Sequence, residues 1–169
     1  MRFVLLFLSL AALLFGQPGT LHIKSAEAAY QAGENSARDK KYQEAIEQFQ
    51  NAIRIEPTFD EAFEELIAAC LSAGRRSEAA AAMTQLLEIE PDLLQYRLVL
   101  GRILLEQNQP ERALAQFSFV LKSKPADADG LLGFAAAAKR MGMNDRAAEA
   151  LERGRRQYPQ DKRFDQAAR

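Results

Sequence analysis

The stretch Pro110-Glu111-Arg112-Ala113-Leu114-Ala115-Gln116-Phe117, closed by Pro125, belongs to a pattern that runs the length of the chain. Ala113 falls in the column Ala45, Ala79, Ala113 and Ala147, and Phe117 in the column Phe49, Met83, Phe117 and Leu151. Pro125 belongs to Pro57, Pro91, Pro125 and Pro159. Every column steps by 34 residues, and the three stay in register over four copies. A repeat of this length accommodates two helices and a turn, and such a pair can bury its apolar face only against a neighbouring pair.

Local signals divide each copy into two helices. Thr58-Phe59-Asp60-Glu61 reads as a capping box opening the first helix of the second copy, and Asp92-Leu93-Leu94-Gln95 as its counterpart in the third. Both follow a Pro, which cannot continue the helix before it. Second helices are expected from Ser77-Glu78 and from Gln109-Pro110-Glu111, where Pro110 suits the first helical position. Turns within the pairs fall at Gly74-Arg75-Arg76, Asn108-Gln109 and Gly142-Met143-Asn144. The Ala column marks where paired helices cross, since a small side chain lets backbones approach. The bulkier column beside it fills the space between pairs.

With its 34-residue period, A-x3-F element, closing Pro and Leu100-Gly101 in the third copy, the chain resembles the tetratricopeptide repeat (TPR) family over about residues 26 to 159. The resemblance implies an all-α, right-handed α-solenoid of four helix-turn-helix units, at about residues 26–59, 60–93, 94–127 and 128–161. Within the solenoid domain at 29–159, first helices line a concave groove. Residues 160–169, a short charged segment with Phe164 as its one apolar contact, are expected to cap the last pair.

Met1-Arg2 precedes an apolar run, Phe3 to Phe15, broken only by Ser9 and followed by Gly16-Gln17-Pro18-Gly19. A basic start, a short apolar run and a helix-breaking segment are the layout of a secretory signal peptide. The run is shorter than the roughly 20 apolar residues of a spanning helix. Small residues at Ala26-Glu27-Ala28 set the expected cut after Ala28, giving a leader at residues 1–28. Two alternatives stand beside it, a cut nearer Gly16 and an uncleaved signal anchor whose residues 1–16 make the membrane contact. In each case the expected location is periplasmic, or membrane-anchored on the extracytoplasmic side.

Composition limits the chemistry. The chain has 22 Lys+Arg against 23 Asp+Glu, one His and one Cys, so neither a His-based zinc site nor an intramolecular disulfide can be built. There is no Gly-rich phosphate loop, H-E-x-x-H or G-x-S-x-G motif. The reading is a non-enzyme without cofactor, metal or nucleic-acid partner, its partner being a protein or peptide. Cys70 reads as a small buried hydrophobe.

The TPR resemblance places Tyr30, Glu34, Glu64, Leu71, Leu98, Arg102, Leu105, Leu132 and Lys139 in the concave groove, as a bed for a helix or extended peptide. Family members that clamp a chaperone's C-terminal carboxylate use Lys, Asn and Arg. The matching places here hold Tyr30, Glu34, Glu65, Gln95 and Val99, so that clamp is not expected. Residues 29–91 carry 6 basic and 12 acidic side chains, and residues 92–169 carry 14 basic and 10 acidic. This polarity supports an adaptor for a peptide or helix of an envelope protein. It also supports the alternative of a self-assembling scaffold held to the membrane by its N-terminal apolar segment.

Overall fold

A computed structural model of the chain describes residues 18–168; the apolar run at 1–16 lies outside them. The fold is all-α, built of helix-turn-helix units, with no strand among the described residues. The helices form two compact units. Unit 1, ending at Arg75, contains α1 (Pro18–Arg38), α2 (Tyr42–Ile55) and α3 (Asp60–Ser72). Unit 2, from Arg76 onward, contains α4 (Arg76–Ile89), α5 (Leu94–Glu106), α6 (Pro110–Ser123), α7 (Ala128–Arg140), α8 (Asn144–Gln157) and α9 (Arg163–Ala168).

The turns inside the four copies share one geometry. Lys40, Gly74, Asn108 and Gly142, again 34 residues apart, all have positive φ, at 61°, 74°, 55° and 72°. The amide after each reaches back to close the helix. Lys41 donates to the Ser36 carbonyl, Arg75 to Cys70 and Gln109 to Leu104, each at 2.8 Å, and Met143 to Ala138 at 2.9 Å. This left-handed closure satisfies carbonyls that the last helical turn leaves without a partner.

Helix starts differ from the sequence expectation at two places. α3 begins at Asp60 after Phe59, with no side-chain cap, because Thr58 Oγ1 donates instead to Glu56 Oε1 at 2.6 Å. That bond is the main cause lowering the Glu56 pKa. α5 likewise begins at Leu94 without a side-chain cap, and the Leu94 amide bonds the Asp92 carbonyl rather than its carboxylate. Neither expected capping box forms. Pro110 does occupy the start of α6, and Asp127 caps α7 by accepting from the Gly130 amide at 2.7 Å.

The Ala column is buried throughout, at 0%, 0%, 0% and 1% exposure for Ala45, Ala79, Ala113 and Ala147. Beside it, Phe49, Met83, Phe117 and Leu151 are buried too. Aromatic rings meet glycines where helices come closest. In unit 1 a Cβ added to Gly33 of α1 would lie 2.6 Å from the Phe49 ring of α2. In unit 2 the Phe117 ring of α6 sits between α5 and α7, 2.6 Å from a Cβ on Gly101 and 2.3 Å from one on Gly133. Full burial of such a ring contributes about 1.5–3 kcal/mol.

The C-terminal segment closes unit 2. Phe164 of α9 is fully buried against Leu131, Ala135, Ala138, Ala147, Ala150 and Leu151. Tyr158 stacks on it at 6.2 Å between ring centroids and donates to the Ala126 carbonyl at 2.6 Å. Arg163 ties the segment down by pairing with Asp161 at 2.7 Å and Asp129 at 2.8 Å.

α1 starts at Pro18 and runs through Ala26-Glu27-Ala28, with Ala26 and Ala29 both buried. The expected cut after Ala28 therefore falls inside this helix, and the helix begins before the expected domain start at residue 29.

Candidate functional site

In unit 1 the first helices of the first two copies, α1 and α3, present Tyr30 and Glu34 on the one and Glu64 and Leu71 on the other. Tyr30 is half-buried, its ring packed against Phe59 at 5.1 Å and Phe49 at 5.8 Å between centroids. Its phenol is pushed above the ordinary tyrosine range, first by burial and then by the carboxylates of Glu34, Glu65, Glu61 and Glu27. Tyr30 is thus an apolar seat ringed by negative charge. Glu34 is half-exposed, Glu64 is exposed, and Leu71 is among the few large apolar side chains left exposed, at 40%.

In unit 2 the corresponding helices α5 and α7 carry Leu98, Arg102 and Leu105, then Leu132 and Lys139. Leu98 is half-exposed and Arg102 exposed. Leu105 is buried, and its carbonyl accepts from Arg140 Nη1 of α7. Among the groove residues read from the sequence, Leu105 is the one that is buried. Leu132 is half-buried against the core around Leu131. Lys139 is exposed, but its Nζ donates to the Ala167 carbonyl of α9, so the cap engages it. Of the groove residues read from the sequence, Leu98 and Arg102 are the two on α5 that remain accessible.

The sequence reading did not single out two arginines that shape this face. Arg97 lies 3.7 Å over the Phe119 ring and donates from Nε to the Pro91 carbonyl and from Nη1 to Gln116, both at 2.8 Å. Burial lowers its pKa. Arg140 bridges α7 to α5. Both stand among many charged helix residues, and no local motif distinguishes a bridging arginine from a solvated one. Cys70 is buried, as expected of a small hydrophobe.

The tetratricopeptide repeat family model matches residues 36–103 and 104–169. Similar solved structures include MamA from Desulfovibrio magneticus RS-1, 19% identical, with 85% of this chain and 81% of that one covered at a TM-score of 0.69. Another crystal structure of MamA protein is 16% identical over 86% of this chain and 79% of that one, with a TM-score of 0.73. YrrB, described as a TPR protein with an unusual peptide-binding site, is 22% identical over 85% and 74% of the two chains, with a TM-score of 0.69. The search of curated proteins yields no match.

Proposed function

The chain belongs to the tetratricopeptide repeat family, and from that premise we propose that it is a non-catalytic adaptor of the cell envelope, holding a peptide or helix of a partner protein on the faces of its first helices. TPR proteins bind protein or peptide partners, and this chain is a protein-interaction module of that kind. The observation that carries the finer reading is the α5 surface, where half-exposed Leu98 stands one helical turn from exposed Arg102. An apolar contact beside a cation suits an amphipathic segment with an acidic flank. The Tyr30 seat, with its surrounding carboxylates, suits a basic or apolar segment. YrrB's described peptide-binding site supports peptide recognition on this fold.

A photo-crosslinking residue placed at position 98 or 102 in cells, followed by mass spectrometry, tests the face. A partner captured at these positions and not at exposed Glu78 of α4 supports the reading; capture at Glu78 alone removes it. Finding the protein only in the cytosolic fraction, with residues 1–28 intact, removes the envelope assignment.

A second reading, self-assembly into a membrane-held scaffold, is favoured by the opposite charge of residues 29–91 and 92–169. Sedimentation over a range of salt separates the two, since a salt-sensitive oligomer belongs only to the second.

A further inference from the structure

The second helices of the last two copies carry a different surface. Between α6 and α8 lies a cleft of about 340 Å³ with Phe134 of α7 in its lining. Ser118 and Lys122 border it from α6, and Arg146, Glu149 and Arg153 from α8. Arg146 is held with its guanidinium 5.2 Å from the Phe134 ring centroid. Arg153 Nη2 donates to the Pro125 carbonyl at 2.7 Å. Among the described residues, no carboxylate pairs with Lys122, Arg146 or Arg153, whereas nearby Arg155 and Arg163 each have two and Arg156 has one.

The repeat supplies an internal comparison. One period earlier, Thr84 stands for Ser118 and Arg112 for Arg146, but Glu88 stands for Lys122 and Phe119 for Arg153. Another cleft between α4 and α6 shares Thr84 and Arg112 with these places, and Arg112 is the one cation of its lining. The helix-pair framework therefore forms without cations at the places of Lys122 and Arg153. Only here do cations occupy both places: two periods before Lys122 stands Arg54, but Gln85 stands at the place of Arg153.

We propose that this cleft is a second docking site, separate from the first-helix faces, and that it takes an acidic peptide segment of a partner protein. Three cations against the single carboxylate of Glu149 select negative charge. Glu149 opposes a compact phosphate dianion, whereas carboxylates spaced along a peptide can reach Lys122 and Arg153 and avoid it. Phe134 offers contact to an apolar side chain between them. Arg146 lies over one face of the Phe134 ring, and the cleft lining holds no second ring on which successive bases could stack. A chain with one site on its first helices and another on its second helices can bridge two partners and raise their effective concentration.

The test titrates the full chain with a fluorescein-labelled peptide of Glu-Glu-Leu repeats, using its Gln-Gln-Leu counterpart as control. The Glu peptide is expected to bind, to move the amide resonances of α6 and α8, and to weaken as salt rises. Lys122→Glu combined with Arg153→Glu should weaken it by about tenfold or more, while Lys24→Glu, reversing an exposed cation of α1, leaves it unchanged. Because Arg153 also holds the Pro125 carbonyl, Arg146→Glu is the second variant; it removes no bond to backbone, and circular dichroism checks its fold. Three results would overturn the proposal: equal binding of the two peptides, binding weakened only by Arg102→Glu, and displacement of the peptide by inorganic pyrophosphate at equal concentration. Binding weakened only by Arg102→Glu would place the peptide on the first-helix face, and the other two results leave that face to its own experiment.

Discussion

Phe164 Cε1 stands 2.0 Å from the point a Cβ on Gly154 would occupy, so the ring of the closing helix rests where α8 has no side chain. Gly154→Ala improves the intrinsic helix propensity of α8 by about 1 kcal/mol. It also pushes a fully buried ring out of its seat, an overpacking cost of about 1–3 kcal/mol. The expected outcome is a net loss of stability with release of α9. In a Phe164→Ala background, itself costing about 3–5 kcal/mol, the same glycine change becomes neutral or stabilising. A double-mutant cycle by urea melts measures this coupling; additivity would mean the ring and the glycine do not share the site.

The Ala column makes a similar demand on the helix pairs. Ala79→Leu and Ala113→Leu introduce bulk at fully buried positions and should each cost about 1–3 kcal/mol. Equilibrium denaturation checks this, and two unchanged midpoints would show that these positions are not closely packed.

Positive-φ turns separate Lys40 and Asn108 from Gly74 and Gly142. A side chain other than Asn or Asp pays about 1–2 kcal/mol in the left-handed region, partly offset by the greater freedom of an unfolded glycine. Lys40→Gly should raise stability by up to about 1 kcal/mol, and Asn108→Gly by less, because Asn tolerates this region. Gly142→Ala should lower stability by about 1 kcal/mol through the backbone alone, since nothing lies within 4 Å of the added Cβ. Thermal melts of the three variants give the order.

Tyr30 makes stability depend on alkaline pH. Its pKa is raised in the folded chain by burial and by four carboxylates. The neutral phenol is therefore the form the fold favours, and its contribution is fully present below the unfolded pKa and lost as pH rises through the folded one. Absorbance titration at 295 nm, with Tyr30→Phe as the subtraction, should show this phenol ionising above the ordinary tyrosine range. Glu34→Gln should bring it down, and an unmoved titration would remove Glu34 from its surroundings.

For the α5 face, Leu98→Ala should cost about 1–2 kcal/mol of partner binding through lost apolar contact. Arg102→Glu should cost more for an acidic partner, with an effect that shrinks as salt rises. Folding stability in Arg102→Glu should change by no more than about 0.5 kcal/mol. Calorimetry on a crosslinked partner segment checks all three, and indifference to both substitutions would move the site off this face.

The helix pairs were legible because their signals repeat. The 34-residue columns of Ala and bulky residues correspond to buried positions, and the Gly74, Asn108 and Gly142 turns lie where breakers stand. Lys40 escaped notice because its side chain has no turn preference, although the period points to it. The capping boxes failed on competition: Thr58 has a closer acceptor in Glu56 than the amide of a helix that starts at Asp60. The burial of Leu105 was not legible, because both exposed and buried leucines satisfy a helical period.

α1 contains the small-x-small pattern Ala26-Glu27-Ala28, with Ala26 only 2% exposed. A processing protease needs its substrate extended and accessible. On the proposed export, cutting after Ala28 and completing α1 are rival fates of the same residues. If the cut comes first, only residues 29–38 of the helix remain and the packing of Ala26 is lost. If the helix forms first, the bond is shielded and the chain keeps its apolar tether. The proportion of released to tethered protein is then the outcome of a race between enzyme and helix, which chaperones, temperature or translocation rate could tilt without any change in the cleavage motif.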